Sequence, residues 1–170
     1  MNHDAQARSS QFANGLLDVL SQASEKLPKV EIDEKKTRNA AMCMTEFLCA
    51  RLAQSGIVPQ SVERTTFRWN DGLVNMRNAV KDHLWTNLRP TFVEHFRQIK
   101  EDGAGVYLMT AWQPSDAQMH VWAIPEEVVY EALPNHPTGR MTEKRAVARA
   151  AVNRSQSLAD FDGVRGISCS

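Results

Sequence analysis

The side chains most able to do chemistry lie between Arg64 and Leu84. Asp71 sits in Asn70-Asp71-Gly72, where each residue type tolerates turn dihedrals and Asp can bond its own backbone. Thr65, Thr66, Phe67 and Trp69 before it are β-branched or aromatic and favour a pleated strand. Leu73, Val74, Met76, Val80 and Leu84 resume the apolar pattern after it. If residues 74–84 form a strand, Ala79 and Lys81 share one face and Val80 takes the other. The carboxylate of Asp71, leaving one strand, is then expected near the ammonium of Lys81 on the next. The plainer reading makes Asp71 a turn residue and Lys81 a solvated charge. His83 shares the face of Lys81 by alternation, and could touch a phosphate or relay a proton, or simply be hydrogen-bonded structure.

A second group of candidates lies further on. Arg140, Lys144, Arg145, Arg149 and Arg154 face one acid, Glu143, a local excess of about four positive charges in a chain of zero formal net charge. On a helix over 140–156 such a stripe can neutralise phosphates, with Asn153, Ser155 and Gln156 for polar contacts. It can equally be the solvated outer face of a helix packed through its alanines. The five histidines show no ligand spacing. No Ser-His-Asp motif, phosphate-cradling glycine loop or dinucleotide fingerprint is present. Cys43 and Cys49 fall on a helical stripe and read as small core residues. Trp69, Trp85, Trp112 and Trp122 read as core or dimer-interface residues.

These side chains need elements to hold them. Phe12, Leu16, Leu17 and Leu20 recur at helical spacing and predict a helix over 10–25, with residues 1–9 frayed. Ala40, Ala41, Met44, Phe47, Leu48 and Leu52 predict a second helix, capped by Thr37 and closed by Gly56. Phe92, Val93, Phe96 and Ile99 predict a helix within 86–101, with Pro90 in its first turn. The apolar run Val106–Trp112 suits a strand buried on both faces, and Met119–Ile124 is its hairpin partner. Pro125, Glu126 and Glu127 suit the start of a helix running to Leu133. The tail after Asp160 is polar and is expected to be mobile. The order implies one α+β domain over 1–170, with a central mixed sheet of about four strands flanked by helices.

Composition bounds the rest. A chain of 170 residues, 42% hydrophobic and 24% charged, suits a single soluble domain with a real core. Three cysteines leave an odd one and form no metal spacing, which fits reduced thiols and a cytoplasmic location. No apolar run approaches the roughly 20 residues of a membrane span.

The order of elements over residues 37–133 resembles the core of the PD-(D/E)xK nucleases, the family of many type II restriction endonucleases. The helix TRNAAMCMTEFLCARLAQSG is similar to the family's first core helix, FRWND to the strand ending in its metal-binding Asp, and NAVK to the strand carrying acidic-x-Lys. FRQIKEDGAGVYLMTAW and MHVWAIPEEVV are similar to the last strands and the helix behind them. The resemblance implies double-stranded DNA as partner, a homodimer, and Mg²⁺ held by Asp71. It also implies Lys81 stabilising attack on phosphate and Glu46 assisting orientation. Here Ala79 stands two before Lys81, where the family has an acid. Lost catalysis on a retained DNA-binding fold, migration of Glu46 or Glu63 into the site, or replacement of a natural acid would each account for it. A small protein-interaction domain is the rival class.

Overall fold

Strand–turn–strand chemistry around Asp71 becomes the middle of a six-stranded mixed sheet with order β1-β2-β3-β4-β5-β6. This is seen in a computed structural model that describes residues 3–22, 37–80, 90–112, 119–132 and 165–169. Strands β1 (Gln60–Glu63), β2 (Thr66–Trp69) and β3 (Gly72–Val80) form an antiparallel meander. The β2–β3 turn is only two residues, Asn70 and Asp71, and Asn70 takes the left-handed conformation (φ 52°) that Asn tolerates best after Gly. Strand β4 (Ala104–Trp112) runs parallel to β3 from Gly72↔Ala104 to Val80↔Trp112. Parallel neighbours need a crossover, and helix α3 (Pro90–Lys100) lies in that connection. Strands β5 (Met119–Pro125) and β6 (Arg165–Cys169) complete the sheet antiparallel.

Helices cover both faces. On one side α1 (His3–Gln22) and α2 (Thr37–Ala53) bring Leu16, Leu17, Leu20, Met44, Leu48 and Leu52 onto Phe67, Val74, Met76, Val106, Leu108 and Val121. On the other, α3 and α4 (Glu126–Ala132) bring Val93, Phe96, Val128 and Val129 onto Leu73, Tyr107, Met109, Trp122 and Ile124. Alternation along β3 and β4 sorts their side chains between these two layers. Trp69 and Trp122 are both core residues, as their size predicts. The fold is therefore α+β, with more strands than the four the sequence suggests. Among the described residues no helix is long and apolar enough to cross a membrane.

Both ends of the chain differ from expectation. Residues 3–9 are not frayed: they are the first turns of α1, and Ser9 is fully buried. Residues 165–169 are not a tail but an edge strand, held by pairing with β5. Short polar segments gain order here from partners distant in sequence, which local pattern cannot reveal.

Ser9 belongs to a buried charged cluster that joins α1, α3, β4 and α4. Lys100 Nζ lies 3.1 Å from Glu127 Oε1 and 3.4 Å from Glu126 Oε2, and donates to Gly103 O at 3.3 Å. Arg97 Nε lies 3.2 Å from Glu126 Oε1. Ser9 Oγ donates to Glu127 Oε1 and accepts from Gly105 N. A Cβ on Gly105 would collide with the Lys100 chain and crowd Phe96, so glycine lets β4 approach the cluster. Two cations and two carboxylates balance, but removing one partner strands a buried charge.

Lys100→Met is therefore expected to destabilise the fold by about 3–5 kcal/mol, measured by urea unfolding. Burial pushes the Glu126 carboxyl above its ordinary value, with Glu127 adding to this, and Lys100 and Arg97 oppose. A raised folded pKa means stability is fully present below the unfolded value and is lost as pH rises through the folded one. Relative to the wild type, Glu126→Gln should thus be less harmful at pH 7 than at pH 4. Parallel unfolding curves at the two pH values check it.

Candidate functional site

Asp71 stands exposed on the β2–β3 turn, directly before β3. Nine residues of extended strand follow, so the Cα atoms of Gly72 and Val80 are about 26 Å apart. Lys81 follows Val80 and lies outside the described residues, as do His83, Lys144, Arg145, Arg149, Asn153, Arg154 and the whole 140–156 segment. The strand expectation for 74–84 holds as far as Val80, and the place of Lys81 relative to Asp71 lies outside the described residues. Glu46 lies exposed on α2.

What does surround Asp71 comes from α1 and the β4 start. A groove of about 440 Å³ is lined by Arg8, Gln11, Phe12, Gly15, Trp69, Asn70, Asp71, Gly103 and Ala104. Among the described residues Asp71 is the one carboxylate in this lining, which also holds Arg8. Mg²⁺ prefers hard oxygen ligands, commonly more than one carboxylate, so these residues do not fit the ion that the nuclease resemblance implies. Among the described residues no group of three or more His, Cys, Asp or Glu is arranged to hold a metal.

The middle of β3 carries a different set. The pairings Glu63↔Thr66, Thr66↔Asn75 and Asn75↔Tyr107 place these four residues in one cross-strand row on the α3 side. Glu63 Oε1 lies 2.7 Å from His95 Nε2 on α3, with both side chains about half exposed. Glu63 thus engages His95 and does not join Asp71. Asn75 donates to Thr66 Oγ1 at 2.8 Å and to Thr65 Oγ1 at 3.3 Å, while its Oδ1 is buried without a partner. Tyr107 stacks on Phe96 with centroids 4.7 Å apart, and its hydroxyl is buried without a partner. Burial drives that phenol far above its usual range, with Glu126 adding and Arg77 and Arg97 opposing.

Arg77, one alternation step beyond Asn75, is the least expected member. Its guanidinium carbon sits 4.3 Å from the centre of the Phe92 ring, a cation–π contact. Its Nε is buried without a partner, and no carboxylate pairs with it among the described residues. Burial lowers its pKa, so holding the charge there costs free energy. Local sequence does hold a faint signal for it: alternation with Leu73 and Asn75 turns Arg77 toward a helix-covered face. Nothing local marks Arg8, Gln11 or Phe12 as neighbours of Asp71, because the fold alone brings α1 to that turn.

No family model, no curated protein and no solved structure matches the chain.

Cys49 on α2 is partly buried, and burial, with Glu46 beside it, pushes its thiol up to about 11. A thiol protonated at neutral pH is a poor nucleophile. Alkylation mapped by mass spectrometry at pH 7 should leave Cys49 unmodified in the folded protein and modified in urea.

Proposed function

We propose that the protein binds double-stranded DNA on a restriction-endonuclease-like core and holds the duplex without cutting it. The observation that carries this reading is Arg77: a half-buried guanidinium on the α3 face of β3, with no carboxylate partner among the described residues, suits an anion brought by a ligand. A nucleic-acid backbone supplies such anions in a row. Support for the core comes from the order of elements: a meander, a crossover helix and a parallel strand flanked by helices, in line with the resemblance over 37–133. The basic run of 140–156 adds phosphate-neutralising charge in sequence. Binding without cutting follows from the poor fit of the Asp71 surroundings to Mg²⁺ and from Ala79 in place of an acid. A homodimer, matched to a two-fold duplex site, remains part of the proposal.

A protein-interaction role is the second reading. Its observation is the run of exposed apolar residues Ile57, Val58 and Val62 leading into and along the edge strand β1. Unpaired edge groups beside apolar side chains suit strand addition by another chain.

Duplex retention in a gel-shift or anisotropy assay, repeated across salt, separates the two. Phosphate binding should weaken steeply as salt rises, whereas an apolar interface should not. Arg77→Met should weaken binding to all duplexes alike and reduce the salt slope by about 0.9. Supercoiled plasmid should stay intact in Mg²⁺. Nicking or linearisation would overturn the binding-only reading, and absence of retention at low salt would overturn the DNA reading.

A further inference from the structure

The groove at Asp71 has a composition that the duplex-binding reading leaves unused. Arg8, Gln11, Phe12 and Gly15 form one stripe of α1, since residues three and four apart share a helix face. Across from it stand Trp69, Asn70 and Asp71 on the β2–β3 turn, with Gly103 and Ala104 where β4 begins. The stripe and the turn are locked together. The Phe12 ring packs so tightly on Gly72 that a Cβ there would overlap it, and it meets Trp69 with centroids 6.0 Å apart. Trp69 is fixed in turn by its indole N–H, which donates to Ile57 O at 3.1 Å.

Over this rigid aromatic floor the charges are unspent. Arg8 and Asp71 line the same groove, both exposed, and among the described residues neither has an ion-pair or side-chain hydrogen-bond partner. A fixed cation, a fixed anion and an aromatic ring call for a ligand with an anionic arm, a donor edge and a flat body. Gln11 and Asn70 add amides that can donate or accept.

We propose that the groove binds a guanine nucleotide, base over Phe12, phosphate at Arg8 and base edge at Asp71. An ionised carboxylate only accepts hydrogen bonds. Guanine alone among the common bases presents two adjacent donors, N1–H and the 2-amino group, that one carboxylate can take together. Adenine and cytosine set one amine beside a ring acceptor, which a carboxylate repels. Thymine sets one N–H between two carbonyls. The amides of Gln11 and Asn70 suit O6, and a guanidinium grips phosphate through paired N–H groups. Stacking on an aromatic ring and reading the pairing edge is how proteins hold an unstacked base. The inference does not rest on Arg77 or on duplex binding, since a mononucleotide is sufficient to test it.

Calorimetric titration of the full chain with guanosine monophosphate, adenosine monophosphate and inorganic phosphate is the experiment. The guanine nucleotide should bind at least about tenfold more tightly than the adenine nucleotide, the discrimination expected of one bidentate base contact. Asp71→Asn should abolish that preference. Arg8→Ala should weaken both nucleotides while leaving guanosine binding unchanged. Both positions are exposed, so thermal unfolding of the variants should match the wild type. A thymine oligonucleotide bearing one guanine distinguishes the sources: competition assigns a strand-borne base, and its absence a free nucleotide. Equal binding of the two nucleotides, a preference that survives Asp71→Asn, or no heat with the guanine nucleotide would each overturn the proposal.

Discussion

The arrangement of layers depends on one buried ion cluster. Lys100, at the end of α3, is 6% exposed, and it meets Glu126 and Glu127, which are 0% and 5% exposed at the start of α4. Ser9 carries the linkage through to α1 and to the backbone of β4. α1 and α4, distant in sequence, are thus fixed to one point together with the consecutive α3 and β4. Apolar packing would press helices onto both faces of the sheet in many registers, because it is non-directional. A buried set of charges is satisfied in few of them. In this protein we take the cluster to select the register, with its net energy near balance after desolvation.

That register decides what reaches the start and the middle of β3. At the start, α1 is held so that its Arg8–Gly15 stripe faces the Asp71 turn. Along its middle, α3 is held so that Phe92 covers Arg77 and His95 meets Glu63. The two regions are built differently. One has an open groove with separated charges over aromatic rings. The other has polar atoms of Asn75, Arg77 and Tyr107 enclosed between sheet and helix. A single strand therefore serves two chemically distinct regions, one at the turn before Gly72 and one around Asn75 and Arg77, whose Cα atoms lie about 10 and 16 Å along it from Gly72.

Much of the fold was legible because period and turn chemistry act locally. Leu16, Leu17 and Leu20 marked α1, Val106–Trp112 marked the twice-covered β4, and Gly56, with φ 92°, closes the turn after α2 as its position predicts. The termini were not legible, since Ser9 and Arg165–Cys169 take their order from Glu127 and β5 across more than forty residues. The site was the least legible part. Alternation rightly turned Asp71 into a turn residue and 74–84, as far as Val80, into a strand, while Lys81 and His83 lie outside the described residues. Arg77 was passed over because an Arg in a strand reads as an outward charge unless the covering helix is known.

The central claim is that Arg77 holds its charge for an external phosphate backbone. The most direct measurement is a nitrogen–proton spectrum of the guanidinium Nε–H groups during titration with duplex DNA. A buried Nε–H shielded by Phe92 is expected to give a resolved signal, and the account predicts that the Arg77 signal shifts with duplex and returns when salt is raised. An unmoved Arg77 signal at saturating duplex, with shifts confined to Ile57–Glu63, would contradict it.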